Sequence, residues 1–174
     1  MKGTKFLFAI AAGVVILVAA LLILAVLRFG PSPYQAEDTP EGVAHNYLAA
    51  LQRQDYERAR SYLSTTLDGY PVNVEQFAAD VEQFMITDID RPPYDPNWYK
   101  DEVSLIVESA RIEGDDAWAI VRRTKIGSGD LFDSGQGSYT FSMGLRREDG
   151  AWKLSWAEWY WSNCWSYRTY PRCH

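Results

Sequence analysis

The chain is poor in the side chains that most often act as catalysts or metal ligands, since its 174 residues include two histidines and two cysteines. His45 falls on the flank of a helical segment, where an ordinary surface histidine is the commoner case. His174 is the terminal residue, where chains are seldom ordered. No Gly-x-Ser-x-Gly elbow and no cysteine–histidine pair with a third member are present. The sequence therefore predicts no catalytic residue and no cofactor.

Two pairs of acids are candidates for chemistry, and neither is convincing. Asp88 and Asp90 follow the third predicted helix. A buried acid there could act as a base if its pKa were raised, but solvated loop acids are far commoner. Asp130 and Asp133 lie in a glycine-rich loop whose spacing does not match a calcium-binding loop. We therefore expect no metal site.

An excess of positive charge is also missing. The formal net charge is −6, and removing Lys2, Lys5 and Arg28 leaves −9 for residues 31–174. So acidic a domain has no electrostatic footprint for nucleic acid, which excludes that class of partner. Neither an internal repeat nor a low-complexity tract is present.

A long uncharged run, Phe6 to Leu27, predicts one transmembrane helix. It contains no charge and no proline. At about 1.5 Å per residue it spans roughly 33 Å, enough to cross a hydrocarbon core of about 30 Å. A cleaved signal peptide is the alternative, but its apolar region would be shorter and followed by a small-x-small site. The bulky end of this run favours an uncleaved anchor in the lipid bilayer.

The charges that flank this run predict its orientation. Lys2 and Lys5 precede it and only Arg28 follows closely, so residues 1–5 are expected in the cytoplasm. Residues 28–38 then form a linker, and the rest of the chain lies outside. We therefore expect a single-pass protein of the cell membrane with an extracytoplasmic domain.

The cysteines, Cys164 and Cys173, both lie near the C-terminus. An even count in an exported domain favours a disulfide between them, with two free thiols as the alternative. A metal site is less favoured, because only His174 lies nearby and a fourth ligand is missing.

The first half of the domain, residues 39–161, has helical periodicity. Thr39, Asp55 and Asn73 are predicted N-caps of three helices. Apolar residues recur at helical spacing after each cap. These are Val43, Tyr47, Leu48 and Leu51 in the first helix, Tyr56, Ala59 and Leu63 in the second, and Val74, Phe77, Ala78, Val81 and Met85 in the third.

The second half reads as four strands, over 103–112, 117–126, 138–147 and 151–161. The third strand alternates apolar and polar residues most regularly, and Glu148-Asp149-Gly150 is a hairpin turn. Trp152, Leu154 and Trp156 are expected on one side of the fourth strand. The predicted fold class is α+β, with three helices packed on a curved four-stranded antiparallel sheet in a cone-like arrangement.

This pattern resembles the nuclear-transport-factor-two-like, cystatin-like cone superfamily, and more narrowly the membrane-anchored bacterial lumazine-binding-like domains of unknown function. The helix positions that carry the resemblance are Ala44, Tyr47, Leu48, Ala50, Leu51, Asp55, Tyr56 and Ala59. The sheet positions are Gly114, Asp115, Ala117 and the hairpin segment 141–155. The resemblance implies a cone-like fold over roughly residues 39–156. It implies no single activity, because the superfamily hosts isomerases, dehydratases, transport factors and assembly modules.

An aromatic stretch, residues 156–170, is the most unusual feature of the chain. In one interpretation the C-terminal tail, 162–174, folds over the outer face of the sheet, pinned by the disulfide, or supports a homodimer. In the other, the rings form a recognition surface for a protein, sugar rings or the membrane interface.

Two classes of function therefore remain open. The first is a non-enzymatic accessory domain that binds a partner protein or a small ligand in the cell envelope. The second is an envelope enzyme of the isomerase or hydrolase type that uses the cone pocket. Four residues are predicted to line that pocket: Tyr47, Phe77, Phe141 and Trp156.

Overall fold

The computed structural model describes residues 13–20, 32–86, 103–125 and 137–166. The chain divides into two compact units, Met1–Ser32 and Pro33–His174. In the first unit, residues 13–20 are helical and their apolar side chains are exposed. Within the described ranges no helix is long and apolar enough to cross a membrane. The remainder of the run 6–27 lies outside them, so the transmembrane helix stays a prediction.

Three helices begin the second unit, and each starts at its predicted N-cap. Helix α1 is Pro40–Gln52, α2 is Tyr56–Ser61 and α3 is Val74–Phe84. The side chains of Thr39, Asp55 and Asn73 accept hydrogen bonds from backbone N–H groups three residues later. The predicted inner stripe of α1 is confirmed, because Val43, Tyr47, Leu48 and Leu51 are all buried.

Four antiparallel strands form the main sheet, in sequential order. They are β2 (Val103–Glu113), β3 (Asp116–Lys125), β4 (Ser138–Glu148) and β5 (Ala151–Ala157). Asp149 and Gly150 both have positive φ, 50° and 84°, as a two-residue type I′ hairpin requires. The predicted α+β architecture, with helices on one face of this sheet, is confirmed.

The fourth predicted strand is too long. Strand β5 ends at Ala157, and the chain turns at Tyr160, whose φ is +59°. A short strand β6 (Trp161–Ser162) then pairs with β1 (Met85–Ile86), and a four-residue helix α4 (Asn163–Ser166) follows. The chain therefore leaves the main sheet after Ala157 and runs toward the end of α3.

A β-bulge at Ser155 reverses the alternation of β5. Gly144 pairs with Trp156 and the next residue of β4, Leu145, pairs with Leu154, so Ser155 is the extra residue. Trp152 and Leu154 are buried on the inner face, whereas Trp156 is 45% exposed. The prediction that these three residues share one face is wrong, because a one-residue insertion moves every later side chain to the other side.

The core lies between the inner face of the sheet and the helices. Alternate residues of β3 and β4 are buried there against α1. On β3 the inward residues are mostly small, and on β4 they are large. They are Ala117, Ala119, Val121 and Arg123 on β3, and Phe141, Met143 and Leu145 on β4.

Candidate functional site

Residues 159–165, which follow β5 and which we call the aromatic segment, fill the space between the sheet and α3. Trp165 is fully buried and its ring stacks on Phe77, with centroids 5.0 Å apart and an angle of 11° between the planes. Its indole Nε1 donates a hydrogen bond of 2.9 Å to the buried Asp80. Trp161 packs edge-on against Trp165 at 5.0 Å. These rings are part of the core and are not a surface cluster.

Tyr160 lies between α1 and the inner face of the sheet. The hydroxyl of Tyr47 donates a 2.6 Å hydrogen bond to the carbonyl oxygen of Tyr160. The ring of Tyr160 contacts Phe141, with centroids 5.7 Å apart, and its hydroxyl accepts a bond from Arg123. Burial raises the pKa of Tyr47 well above its ordinary value, so this hydroxyl keeps its proton.

Three of the four predicted lining residues are therefore brought together inside the cone. Tyr47, Phe77 and Phe141 are buried, and each contacts a residue of the segment that follows β5. Trp156 does not join them, because the bulge turns it to the outer face. The expectation that all four line one pocket is thus wrong for Trp156.

The described part of the C-terminal tail, residues 162–166, does not cover the outer face of the sheet as one interpretation expected. Residues 159–165 pack on the inner side, since bonds to Tyr47, Asp80 and Arg123 hold them there.

Gly69 lies against the end of the aromatic segment. Its N–H donates to the carbonyl oxygen of Trp165, and a Cβ on Gly69 would lie 1.7 Å from the carbonyl oxygen of Cys164. Only a glycine permits so close an approach.

Cys164 is buried. Cys173, the other cysteine of the chain, lies outside the described residues. The pairing of Cys164 with Cys173 therefore stays a prediction.

Sequence reasoning missed two buried charged residues, Arg123 and Asp80. Arg123 is 4% exposed and its guanidinium lies 5.2 Å from the ring centre of Tyr139. A signal for it existed, because Arg123 continues the inward alternation of Ala117, Ala119 and Val121. Asp80 lies one turn after Phe77 on the buried side of α3. Both groups hold the aromatic segment through hydrogen bonds.

The other candidate residues are not gathered at a site. Asp88, Asp90, Asp130, Asp133 and His174 lie outside the described ranges. Nowhere in the part of the chain that the structure describes do three or more histidines, cysteines or acids come together as metal ligands.

His45 has a structural contact with the predicted linker. Its Nε2 lies 3.0 Å from the carbonyl oxygen of Pro33. The buried side chain of Asn46 accepts a hydrogen bond from the N–H of Gln35 and donates one to its carbonyl oxygen, at 2.7 and 2.9 Å. The last part of the linker is therefore bound along α1.

Tyr34, also in the linker, is held between two cations. The guanidinium carbons of Arg53 and Arg58 lie 4.2 and 3.5 Å from its ring centre. Arg58 also pairs with Glu37, which accepts a 2.7 Å bond from Tyr62. That bond from the Tyr62 hydroxyl lowers the pKa of Glu37. These contacts attach the linker to the domain. They do not involve the inner face of the sheet.

The outer face of the sheet carries the exposed rings. Trp118 is 41% exposed and Trp156 is 45% exposed. The strand register places Arg111, Trp118, Gly144 and Trp156 opposite one another in a row across four strands. We call this line of four residues the tryptophan row.

A groove of about 450 Å³ adjoins the tryptophan row on the side of β2. Both aromatic and hydroxyl groups line it, together with one ion pair between Arg111 and Glu113. Its principal lining residues are Ser109, Arg111, Glu113, Trp118, Ile120 and Ser142. An exposed apolar strip bordered by polar groups is typical of a binding surface.

The chain is similar to known proteins in its fold and not in its sequence. No protein-family model matches the sequence, and no curated protein matches it. Similar solved structures include a SEC-C motif protein from Rhodopseudomonas palustris, 14% identical with a TM-score of 0.44 over 71% of this chain and 80% of that one. A protein assigned as a calcium/calmodulin-dependent protein kinase type II association domain, from Thiobacillus denitrificans, is 14% identical with a TM-score of 0.43 over 72% and 95%.

A nuclear-transport-factor-two-like protein of unknown function from Cytophaga hutchinsonii is also similar. It is 14% identical, with a TM-score of 0.34 over 71% of this chain and 94% of that one. The structural neighbours thus include the superfamily that the sequence resembles. Likeness at this level carries no inference about activity, ligand or partner.

Proposed function

We propose that this protein is a membrane-anchored, extracytoplasmic accessory domain that binds a partner protein or a small ligand in the cell envelope without catalysing a reaction. One observation carries the proposal. The rings on the inner face are buried, whereas Trp118 and Trp156 are half-exposed together on the outer face. The outer face is then the binding surface.

The interior of the cone supports this assignment. An enzyme needs polar groups that converge on a space that substrate can enter. Here Arg123 and Asp80 are 4% and 2% exposed, and both are bonded to the aromatic segment. Substrate could reach them only if that segment left the cone.

The anchor and the compartment complete the proposal. The run 6–27 would hold the domain at the membrane, and the lysines before it favour an extracytoplasmic domain. We also propose that Cys164 forms a disulfide, which would fit an oxidising compartment. We propose Cys173 as its partner, which would close a short loop that contains the buried Trp165.

A photoreactive residue placed on the outer face of the full chain tests the binding surface in cells. Placed at position 118 or 156, it should form a discrete adduct. The same residue at Val72, which is 78% exposed on another part of the domain, is the matched control. Adducts of equal yield at all three positions, or none at 118 and 156 in folded protein, would contradict the proposal.

Protease added to intact cells tests the location. The domain should be cleaved while residues 1–5 stay protected. Full protection of the domain would reverse the proposed topology.

The alternative, an envelope enzyme using the cone, has one supporting observation: a buried cation, Arg123, lies beside two tyrosines, Tyr139 and Tyr160. It requires residues 161–166 to open while the sheet stays folded. Hydrogen exchange separates the two functions. Amides in 161–166 that exchange only with global unfolding support the binding domain, whereas much faster exchange there supports the enzyme.

A further inference from the structure

Residues 33–37, the last part of the predicted linker, lie on the domain as a bound peptide does. They form neither helix nor strand, and all of them except Tyr34 are exposed. They could therefore leave α1 without opening the core between α1 and the sheet. We call residues 33–37 the docked segment, and the surface of α1 and α2 that holds it the segment site. The principal residues of this site are Gly42, Asn46, Arg53, Asp55, Arg58 and Tyr62.

The segment site contacts the main chain of the docked segment. Asn46 is fully buried, and its side chain bonds both the N–H and the carbonyl oxygen of Gln35. A Cβ on Gly42 would lie 1.9 Å from the carbonyl oxygen of Ala36, so this approach needs a glycine. Every peptide has these main-chain atoms. Departure of the segment would deprive the buried Asn46 amide of both bonds, so replacement by another peptide costs less than an empty site.

The segment site also recognises a tyrosine side chain. The ring of Tyr34 lies between the guanidinium groups of Arg53 and Arg58. Its hydroxyl donates a hydrogen bond of 3.1 Å to the carboxylate of Asp55. An aliphatic side chain would forfeit both cation–ring contacts, and phenylalanine would leave the bond to Asp55 unmade. Main-chain bonds that hold a peptide and a pocket that selects one side chain are the usual parts of a peptide-binding site.

An acid three positions after the tyrosine is recognised as well. The carboxylate of Glu37 accepts bonds of 3.0 Å from Arg58 and 2.7 Å from the hydroxyl of Tyr62. Arg58 therefore contacts both the ring and the acid of the docked segment. Residues 31–174 carry a formal charge of −9, so this pair of arginines is a local cationic site in an acidic domain. Such a site favours an acidic segment over a basic one.

We propose that the segment site binds partner proteins through an exposed segment of the form Tyr-x-x-acid, and that the docked segment is its ligand within the chain. A partner segment must displace the docked segment. The docked segment is thus a built-in competitor, with an effective concentration of the order of millimolar. This site is separate from the outer face of the sheet, so either surface can fail as a binding site without the other.

A second copy of the chain is a poorer occupant than a different protein. Exchange of docked segments between two copies replaces each contact by an identical one, while association itself costs free energy. A partner segment that makes further contacts with the domain gains free energy over the docked segment.

Peptide titration of the full chain in lipid nanodiscs tests the site. The probe is a synthetic peptide of residues 32–38 with a fluorescent label at its N-terminus, followed by fluorescence polarisation. The receptor is the Tyr34→Ala, Glu37→Ala double variant, whose own segment has lost both side-chain contacts. We expect saturable binding in about the millimolar range or below. The wild type should bind the peptide at least about tenfold more weakly, because its intact segment competes.

Two arginines of α2 provide the matched variants. Arg58→Ala in the double variant should weaken peptide binding about tenfold or more, because contacts with the ring and the acid are both lost. Arg60→Ala should leave the affinity unchanged, since Arg60 bonds the carbonyl oxygens of Pro71 and Val72 and not the docked segment. A probe with phenylalanine in place of Tyr34 should bind several-fold more weakly. Near-ultraviolet circular dichroism checks that each variant is folded, and Tyr34→Ala alone replaces the double variant if that does not fold.

Three outcomes would overturn the proposal. The first is no binding by the folded receptor variant, which would make the docked segment a purely structural part of the domain. The second is equal binding by the wild type and the receptor variant, because the peptide would then occupy another place. The third is a wild-type dimer that the receptor variant lacks, measured by sedimentation, which would make a second copy the occupant. The photo-adducts at positions 118 and 156 report on the outer face alone, so the proposed function is judged separately.

Discussion

The two faces of one sheet use aromatic residues in opposite ways. On β3, the inward Ala117, Ala119 and Val121 are fully buried, while the larger Trp118 between them is 41% exposed. The inward residues are small because the space beside them is filled by α1 and the aromatic segment after β5. Side-chain size therefore does not tell which face is inside. What lies over each face decides it.

Removing a ring from the inner side should have the largest effect on stability. Trp165→Ala deletes a fully buried side chain that stacks on Phe77 and bonds Asp80. We expect a loss of about 3–5 kcal/mol in the free energy of unfolding, the usual range for Trp→Ala in a core. Urea unfolding of the full chain in detergent micelles, followed by near-ultraviolet circular dichroism, measures it. Trp165→Phe, which keeps the stacking, should lose clearly less; an equal loss would contradict the role of the ring.

Two glycines, Gly69 beside the aromatic segment and Gly144 on the outer face, extend the comparison between the two sides of the sheet. Gly69→Ala would press a Cβ against the carbonyl oxygen of Cys164, and the backbone would have to move. Such overpacking should cost about 1–3 kcal/mol in the free energy of unfolding. Gly144→Ala on the outer face is the matched control. It should be neutral or stabilising by a few tenths of a kcal/mol, because alanine reduces the freedom of the unfolded chain. Equal effects would show that the two glycines do not differ in environment.

Tyr47→Phe tests the polar contact between α1 and the aromatic segment. Losing its 2.6 Å bond to Tyr160 should cost about 1–2 kcal/mol near neutral pH. The cost should shrink in alkali. The pKa of Tyr47 is raised in the folded state, so above pH 10 the unfolded chain loses a proton that the native state keeps. Wild-type stability from this group is therefore complete below pH 10 and falls as pH rises. Urea midpoints of both proteins at about pH 8 and about pH 11 measure the difference, which a structural role without ionisation would leave constant.

Removing a ring from the outer face should have the smallest effect on stability. Trp156→Ala deletes a side chain that is 45% exposed, and we expect a loss of less than about 1 kcal/mol. The same urea titration used for Trp165→Ala measures it. A loss comparable with that of Trp165→Ala would mean that Trp156 is covered in the folded protein.

Local features of the fold could be predicted from the sequence. The N-caps Thr39, Asp55 and Asn73 act on N–H groups three residues away, so their signal lies within a few positions of the chain. The regular alternation of β4 likewise placed its buried residues. The outward direction of Trp118 agrees with its alternation with the buried Ala117 and Ala119.

The position of Trp156 could not be predicted in the same way. Period-two alternation places it with Trp152 and Leu154, and one extra residue, Ser155, reverses the outcome. A bulge is stabilised by its pairing with β4, and no pattern within β5 indicates it. The inward position of Arg123 did have a pattern, but a charged residue at an inward position becomes acceptable only when partners from elsewhere reach it.

By itself the sequence determined the α+β class, the three helix starts, the four strands and the candidate anchor, because each depends on neighbouring residues or on the composition of one run. Only the tertiary structure decided where the aromatic segment packs. Tyr47 and Tyr160 are 113 positions apart, and the bond between them forms only after the helices and the sheet have come together. That contact fills the inner side with Tyr160, Trp161 and Trp165 and leaves Trp118 and Trp156 exposed on the outer face.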